Sequence, residues 1–384
     1  MKLHYIKIFS PSSTYFFIWL LVLGLLSLRW TENIPKFTIE MIAPVITSLL
    51  FAILIIIAYE WKVKIDIDRM VNKINENIKK IKKIQNHFTV GFILLTFVDV
   101  MYSQGMPLLW IFTGAEKTYA NIGIPSIRGL QYTLYLMSLV LLGLIRGIEP
   151  NYKTTLMWGL FIFPLLMLAR GLFTYALIQY SFSRFMLVKF NRKHVAVCGA
   201  IVIIYALMFG VIGDVRHGIS NPLAYLIAEG EYNPLSSLPS GFTWLYIYIT
   251  SGYANILQTF DSVVTQYSFS PILYNLVPGA IKVQLGMQSN EAGIIADESL
   301  NVASFFAGYF VSFSLVGAII GSLFLLLISI WWYAKLMRGE IFSIIGYSAC
   351  LAAIILSPFF DALMTVSTVF QFIVSFYLRG RIKF

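Results

Sequence analysis

Apolar runs of nearly membrane-spanning length recur along almost the whole chain. The apolar core of a bilayer is about 30 Å thick, and a helix needs around 20 mainly apolar residues to cross it. Ten runs approach this length, at about 12–28, 41–59, 88–103, 130–146, 155–169, 172–188, 195–212, 313–334, 341–357 and 362–378. The sequence therefore predicts an all-α, polytopic integral membrane protein with about ten transmembrane helices.

The composition leads to the same class of protein. Of the 384 residues, 58% are hydrophobic and 12% are charged, whereas about a quarter of the residues of a soluble protein are charged. These values exclude a soluble globule. The fifth and sixth runs are separated only by the short stretch Ala169–Gly171. They predict either a tight hairpin or one long kinked helix.

The distribution of Lys and Arg predicts the orientation. The net charge is +10. In a membrane protein such a charge indicates orientation rather than a nucleic-acid partner, because Lys and Arg concentrate in cytoplasmic loops. With the N-terminus inside, 21 of the 28 Lys and Arg residues fall on the cytoplasmic side, and both termini are cytoplasmic. The outer side keeps seven basic residues, namely Arg29, Lys36, Lys117, Arg128, Arg170, Arg216 and Lys282.

Two outer segments are longer than connectors require. Most loops contain about 4–6 residues, and unusually long ones are often functional. The first segment is 103–129 and the second is 213–310. The second segment is rich in aromatic residues, which are scarce in disordered chains. We expect it to fold into a large structured loop against the membrane surface and the ends of the helices.

The inner segment 60–87 is basic and amphipathic. Val71, Ile74, Ile78 and Ile81 recur at helical spacing among lysines. The pattern is typical of a helix that lies on an anionic membrane surface. A coiled coil with a partner is the alternative interpretation, although the pattern covers few turns.

Three outer arginines are candidates for phosphate binding. Arg128, Arg170 and Arg216 each fall at the outer end of a predicted span, and the planar guanidinium suits bidentate phosphate binding. We expect them to bind a diphosphate. The alternative is that interfacial arginines reach phospholipid headgroups.

Candidates for acid–base chemistry lie on the same side. His217 is the one histidine of four that falls outside, and a histidine can act as a base near neutral pH. The preferred carboxylates are Asp297, Glu298, Glu229 and Glu231. The other acidic residues predicted outside are Glu32, Glu40, Glu116, Asp214, Asp261, Glu291 and Asp361, and Asp99, at membrane depth, is a candidate for pairing with an arginine. Cys198 and Cys350 lie in apolar runs and provide no disulfide framework or zinc cluster.

Several motifs of the outer side resemble one family. They are Gly123–Gly129 (GIPSIRG), Leu238–Ser251 (LPSGFTWLYIYITS), Asn275–Pro278 (NLVP), Leu300–Ala303 (LNVA) and Phe313–Ser322 (FSLVGAIIGS). Together with the topology, they resemble the Wzy-type O-antigen polymerases, also called oligosaccharide repeat-unit polymerases.

This resemblance implies a metal-independent enzyme without a cofactor. It implies a membrane glycosyltransferase, GT-C-like in fold, in the bacterial cell inner membrane with a periplasmic active site. Such an enzyme transfers a growing glycan from undecaprenyl diphosphate to the non-reducing end of another lipid-linked repeat unit, in polysaccharide or lipopolysaccharide biosynthesis. Aromatic side chains of the long loop, such as Trp244, Tyr248 and Tyr267, would stack on sugar rings. The expected partners are membrane lipids, undecaprenyl-diphosphate-linked oligosaccharide and a polysaccharide chain-length regulator, with no nucleic acid.

Three other functions remain open at this point. A flippase or another transporter of lipid-linked oligosaccharide is expected to place several charges within its spans and to show internal repeats. An O-antigen ligase would use similar chemistry on finished polymer. A receptor or scaffold would carry out no chemistry.

Overall fold

The computed structural model describes residues 5–63, 67–114, 122–124, 127–188, 223–228, 233–277, 279–287 and 302–381, with Ile294 and single residues between 196 and 214. Within these residues all regular structure is helical, apart from one isolated bridge between Thr31 and Ile227. The all-α prediction is confirmed for this part of the chain.

The helices with described bounds are numbered in chain order. They are α1 (Tyr5–Ile8), α2 (Pro11–Leu28), α3 (Ile39–Ile55), α4 (Ile67–Ser103), α5 (Pro107–Thr113), α6 (Ile127–Ile148), α7 (Thr154–Leu166), α8 (Arg170–Phe185), α9 (Ser240–Thr259), α10 (Ser270–Leu273), α11 (Gly279–Gln284), α12 (Phe306–Met337), α13 (Ser343–Leu356) and α14 (Val366–Arg381). A π-turn, Ile56–Glu60, extends α3. The described residues between 196 and 214 are helical as well.

Five helical segments of the described chain are long and apolar enough to cross a membrane. They are Pro11–Leu28, Ile39–Glu60, Ile67–Trp110, Ile127–Ile148 and Phe306–Met337. Each contains one of the predicted runs. Three further runs coincide with shorter apolar helices, at Thr154–Leu166, Ser343–Leu356 and Val366–Arg379.

The outer faces of these helices are apolar, as lipid contact requires. Large exposed side chains include Leu50 and Leu54 on α3, Ile57 on the π-turn that extends it, Ile93, Leu94 and Phe97 on α4, and Val316, Ile320 and Leu327 on α12. An exposed apolar surface of this extent would be a liability in water. Buried positions, in contrast, include many Ser, Thr and Gln side chains. This distribution is typical of a membrane protein.

The helices α7 and α8 form a tight antiparallel hairpin. The Phe161 ring lies 5.3 Å from the ring of Tyr180 and 6.2 Å from that of Phe173. The Tyr180 hydroxyl donates to Met157 Sδ at 3.0 Å. The sequence left a hairpin and one kinked helix open for this region, and the hairpin is the observed form.

The amphipathic segment 60–87 is not a separate surface helix. Its helical part continues without a break into the predicted span 88–103, giving α4 a length of 37 residues, about 55 Å. Ile74 and Ile81 of its apolar stripe are buried against the bundle. The interpretation of this stripe as membrane-bound is therefore wrong, because the stripe packs on the protein itself and leaves the lysines exposed or half-buried.

The bundle has two ends, which we name after one residue at each. The Arg170 end carries the start of α8, α12 and α14, and the Glu60 end carries the start of α2, α4 and α13. At the Glu60 end the Glu60 carboxylate caps α2 across the helix interface. It accepts from Ser12 N at 2.7 Å, from Ser10 Oγ at 2.6 Å and from Ser13 N at 3.3 Å. A carboxylate is favourable here because the N-terminus of a helix is partially positive.

A polar seam fixes α4 against α6. The Gln85 amide donates to Thr89 Oγ1 at 2.8 Å and to Ser138 Oγ at 3.3 Å, and the two hydroxyls are 2.6 Å apart. Closer to the Arg170 end, Gln131 Nε2 donates to Thr96 Oγ1 at 3.0 Å. Hydrogen bonds between helices hold membrane bundles together, because apolar contact alone does not distinguish protein from lipid.

The helix α13 lies in the centre of the bundle. It has 14 residues, about 21 Å of helix, and nearly all its side chains are buried. Gly346 faces the Trp332 ring of α12 so closely that a side-chain carbon at this position would collide with the indole. A small residue therefore allows the two helices to approach.

The long loop supplies a helix that packs on the Arg170 end. The Tyr246 hydroxyl of α9 donates to the Leu25 carbonyl at 3.0 Å, and its ring lies 5.3 Å from that of Trp30. Tyr253 contacts Trp19 at 5.7 Å between ring centroids. This part of the predicted outer segment is thus ordered against the ends of the helices, as the aromatic content of the segment indicated.

The helix α12 contains a sharp reversal at Phe313 and Ser314. Ser314 has φ 56° and ψ −148°, a conformation that side chains disfavour. The segment before it folds back, so that the Tyr309 ring lies against Gly321 of the segment after it. In a straight helix, residues twelve positions apart would be about 18 Å apart. The chain therefore forms a short re-entrant turn of helix before the long apolar helix begins.

We expect Ser314→Gly to stabilise the protein. Glycine adopts this conformation without steric strain, and the relief exceeds the added entropy of the unfolded chain by about 1 kcal/mol. The melting temperature in detergent should rise by about 2 °C. Ser329→Gly, in a regular part of α12, is the matched control and should lower it. An equal decrease in both variants would show that Ser314 is not strained.

Candidate functional site

Arg170 lies directly after the turn that joins α7 to α8. The turn is a Schellman motif, in which Ala169 N donates to Pro164 O at 2.9 Å and Leu168 N donates to Leu165 O at 3.0 Å. The left-handed position, usually glycine, is Leu168 with φ 50°. A branched residue here is strained, and such strain is often found beside functional groups.

The position of Arg170 is unfavourable for α8 itself. A cation in the first turn is opposed by the helix dipole, by about 0.3–1 kcal/mol. The side chain is nevertheless 8% exposed, so the charge is also largely removed from solvent. Neither feature stabilises the helix, which indicates that the guanidinium is held for another purpose.

Two aromatic rings of α9 hold the guanidinium. Its carbon lies 4.6 Å from the Trp244 ring centroid and 5.0 Å from that of Tyr248. Arg170 Nη2 also donates to the Tyr248 hydroxyl at 2.9 Å. Trp244 and Tyr248 are one turn apart and therefore lie on the same face of α9. Cation–π contacts of this kind contribute up to about 2 kcal/mol when desolvated, and they fix the plane of the guanidinium.

Asp214 supports this arrangement from the other side of Trp244. Its Oδ1 accepts from Trp244 Nε1 at 3.0 Å, and its Oδ2 accepts from Ser240 Oγ at 2.7 Å. The neighbouring Gly213 approaches so closely that an added side-chain carbon would lie 2.9 Å from Arg170 Nη1. We call Arg170, Asp214, Ser240, Trp244 and Tyr248 the Arg170 site.

The loop between α13 and α14 borders the Arg170 site. The Phe359 ring lies 6.5 Å from that of Tyr248. Two residues later, the buried Asp361 accepts from Leu363 N at 3.0 Å and from Met364 N at 3.1 Å. Burial raises the pKa of Asp361 to about 7, against the opposing effect of these two hydrogen bonds. This carboxylate therefore titrates near neutral pH while it shapes the loop.

A second polar cluster joins α4 to the start of α6. Asp99, 1% exposed, accepts from Ile124 N at 3.1 Å. Arg128 donates from Nε to the Tyr132 hydroxyl at 2.8 Å and from Nη1 to the Ile122 carbonyl at 3.4 Å. It also lies within electrostatic reach of Asp99. The pairing of Asp99 with an arginine stays a prediction. The hydrogen bonds of Arg128 connect Ile122, in the first long outer segment, to Tyr132 of α6.

The structure describes some of the predicted site residues and not others. Arg170, Trp244 and Tyr248, proposed for two different roles, come together in one site. Trp244 is 2% exposed and lies under Arg170, whereas Tyr267 is 82% exposed with φ 49°. Arg216, His217, Glu229, Glu231, Asp297 and Glu298 lie outside the described residues.

Other members of the site were not singled out from the sequence. Asp214 is only one of several predicted outer carboxylates, and Ser240 has no signal of its own in the sequence. Ser240 lies in the stretch Leu238–Ser251 that carries the resemblance. The roles of Asp214 and Ser240 depend on contacts between residues 26 or more positions apart along the chain, such as Ser240 with Asp214. The described residues contain no group of three His, Cys, Asp or Glu side chains that could hold a metal ion.

Comparisons of the chain with protein-family models, with characterised proteins and with solved structures give no match.

Proposed function

We propose that this chain is a polysaccharide repeat-unit polymerase of the O-antigen polymerase type. It would transfer a growing glycan from undecaprenyl diphosphate to the non-reducing end of another lipid-linked repeat unit. The observation that carries the proposal is the buried guanidinium of Arg170, held in a fixed plane by Trp244 and Tyr248 at one end of an apolar helical bundle. A fixed cation at this depth suits the diphosphate of a membrane-anchored substrate.

Arg170 would stabilise the charge that develops on the leaving group. In the reaction the acceptor hydroxyl oxygen bonds to the anomeric carbon, and the bond from that carbon to the diphosphate oxygen breaks. Negative charge grows on the lipid diphosphate, and a preorganised donor lowers the barrier because it needs no reorientation. Arg216, a few residues after Asp214, would provide a second donor.

The acceptor hydroxyl must lose a proton in the same step. His217 would accept it, or one of the carboxylates Asp297, Glu298, Glu229 and Glu231. Alignment of two lipid-anchored substrates in one membrane surface would supply much of the acceleration. Because Trp244 is covered by Arg170, stacking on the sugars would fall to more exposed aromatics such as Tyr267.

The proposed topology has ten spans in a GT-C-like fold, with the Arg170 end facing the periplasm. Basic residues of the Glu60 end support this orientation. Lys82 pairs with Glu149 at 2.7 Å, and Glu340 contacts Arg379 at 2.5 Å and Lys335 at 3.7 Å. The positive-inside tendency assigns such an end to the cytoplasm.

Reconstitution tests the proposal directly. Purified protein in vesicles should extend purified undecaprenyl-diphosphate-linked repeats and release undecaprenyl diphosphate, without nucleotide sugar or added metal. Chains longer than one repeat are the expected product. A protein that only moves the lipid-linked repeat across the bilayer would instead be a transporter.

A deletion strain distinguishes the polymerase from the ligase, which could use a similar arginine. Loss of a polymerase leaves surface glycan one repeat long. Loss of a ligase leaves polymer on undecaprenyl diphosphate. We expect the first pattern, and the second would reassign the Arg170 site to ligation.

A further inference from the structure

Two arginines lie close together at the Glu60 end of the bundle. Arg146 is in the last turn of α6 and Arg184 is in the last turn of α8. The two helices are in close contact here, because an added side-chain carbon at Gly147 would lie 3.3 Å from the Arg184 carbonyl oxygen. Both arginine side chains are half-buried, and they are within electrostatic reach of each other. One buried cluster joins their neighbours to this end of the bundle and includes Ile6, Ile145, Met186 and Phe342.

The turn that follows α6 fixes the Arg146 side chain. Arg146 Nη1 donates to the Tyr152 carbonyl at 2.8 Å and to Thr154 Oγ1 at 2.9 Å. Its Nε is buried without a hydrogen-bond partner, and its Nη2 forms no hydrogen bond with the described residues. The guanidinium is therefore held in place while donors remain unused.

Arg184 has no anionic partner in the described part of the chain. Its guanidinium lies 5.5 Å from the ring centroid of the next residue, Phe185, and forms no hydrogen bond or ion pair with a described residue. The carboxylate of the α6–α7 turn, Glu149, is already bound by Lys82 Nζ at 2.7 and 2.8 Å. The sequence contains no Asp or Glu between Arg184 and Asp214. The chain that follows α8 therefore offers no carboxylate to this arginine.

Stabilisation of the helices explains each arginine separately but not the pair. A cation in the last turn of a helix interacts favourably with the helix dipole, but two neighbouring, half-buried cations repel each other. Lys82 and Lys153 add positive charge, since they lie 4.9 and 5.5 Å from the ring centroid of Tyr152. Four cationic side chains of this region thus accompany one carboxylate, that of Glu149. A bound anion would remove the repulsion.

Exposed aromatic side chains flank the two arginines. Trp158 follows Thr154 by four residues, so both lie on the same face of α7, and Trp158 is 61% exposed. Phe185, the residue after Arg184, is 38% exposed. Exposed Trp near basic residues is typical of the headgroup level of a membrane. The region therefore combines excess positive charge with an apolar flank that suits the acyl chains of a lipid.

We propose that Arg146 and Arg184 bind the phosphate of an anionic phospholipid such as phosphatidylglycerol. Arg146 Nη2 and the guanidinium of Arg184 would donate to the phosphate oxygens, which match the planar donors of arginine. A zwitterionic lipid has the same phosphate but carries a cation beside it, which the basic side chains repel. The site is independent of the proposed polymerase activity and lies at the other end of the bundle from Arg170.

The test compares an anionic with a zwitterionic lipid. Binding of phosphatidylglycerol and phosphatidylcholine, both labelled on an acyl chain, is measured by fluorescence anisotropy with purified protein in detergent. Wild-type protein should bind phosphatidylglycerol at least about tenfold more tightly, and high salt should reduce the difference. Arg184→Gln should weaken phosphatidylglycerol binding by about tenfold and leave phosphatidylcholine binding unchanged. Arg338→Gln is the matched control, because Arg338 is an exposed arginine at the C-terminal end of α12, at the same end of the bundle.

The melting temperature separates lipid binding from a structural role of Arg184. In lipid-free detergent Arg184→Gln should not melt at a lower temperature than the wild type, because it removes one of two repelling cations. Loss of an arginine that only stabilised the end of α8 would lower the melting temperature. Phosphatidylglycerol should raise the melting temperature of the wild type more than that of Arg184→Gln, since a ligand stabilises the folded state that binds it.

Several outcomes would overturn the inference. Equal affinity of the wild type for the two lipids would do so, as would unchanged phosphatidylglycerol binding in Arg184→Gln or an equal loss in Arg338→Gln. A lower melting temperature of Arg184→Gln without lipid would assign the arginine to the fold. Displacement of the labelled lipid by inorganic phosphate as effectively as by phosphatidylglycerol would assign the two arginines to a soluble phosphate compound.

Discussion

Arg170→Ala is expected to abolish polymer while the surface glycan of the strain keeps a single repeat. Removal of one preorganised donor to a developing negative charge typically costs about 10²–10³ in rate. The loss here should reach the upper end of this range, because the aromatic rings fix the guanidinium before the substrate arrives. The measurement is the glycan ladder of a deletion strain complemented with the variant, with the amount of protein in the membrane verified.

Two further variants make this result specific. Arg170→Lys keeps the charge but loses the planar fork and most of the stacking, so we expect short chains rather than none. Arg29→Ala removes an exposed arginine at the same end of the bundle and should leave the ladder unchanged. A normal ladder in Arg170→Ala would reject the assigned role, and a shortened ladder in Arg29→Ala would indicate a general effect of outer charge.

Arg216→Ala is expected to behave like Arg170→Ala.

Asp361→Asn is expected to raise the melting temperature at pH 8 by roughly 5 °C and to leave it unchanged at pH 4. Burial raises the pKa of Asp361 from its ordinary value of 3.8 to about 7. Between these values the folded protein retains a proton that the unfolded chain has released. The free energy of unfolding therefore falls as the pH rises from about 4 to 7, by a total on the order of 4 kcal/mol, and then stays level.

The asparagine variant separates charge from hydrogen bonding. Its side-chain oxygen can still accept from Leu363 N and Met364 N, without a buried charge at any pH. Asp361→Ala loses both hydrogen bonds as well as the charge. It should therefore lower the melting temperature at pH 4 and raise it less than Asp361→Asn does at pH 8. Asp261→Asn, at an exposed position, should leave the pH dependence intact. The same temperature shift of Asp361→Asn at both pH values would contradict a raised pKa.

The long helices of the bundle can be predicted from the sequence, because the length of an apolar run by itself indicates a membrane-spanning helix. Pro11–Leu28 and Phe306–Met337 are clear for this reason. The helix α13 is also predicted, although its 14 residues are shorter than a bilayer requires. Its neighbours surround it, so it need not match the lipid.

An amphipathic pattern does not show whether lipid or protein covers the apolar face of a helix. The stripe with Ile74 and Ile81 has the same periodicity whether lipid or protein covers it. Only the fold places Ile341 and Phe342 in the same buried cluster as these isoleucines. The reversal at Ser314 could not be predicted from the sequence either. The stretch FSLVG contains no proline, and the strained position is a serine and not a glycine.

The sequence predicts the charged residue of the candidate site but not the contacts that hold it. Arg170 stood out because basic residues are scarce on the predicted outer side. The sequence predicts that Trp244 and Tyr248 stack on sugar rings, but it does not predict their contact with Arg170. The hydrogen bond between Arg170 and Tyr248 joins residues 78 positions apart along the chain. No local pattern connects them, and the role of Asp214 depends in turn on Trp244.

The central position of α13 has a consequence for how the protein is made. A helix of about 21 Å is too short to span the bilayer by itself, and Gly346 packs directly against the Trp332 ring of α12, where a side-chain carbon would collide. We therefore expect α13 to depend, during synthesis, on α12 being already in place and on α14 following soon afterwards. If the C-terminal helices assemble as one unit in this way, the loop that carries Asp361 reaches the Arg170 site only when the unit is complete.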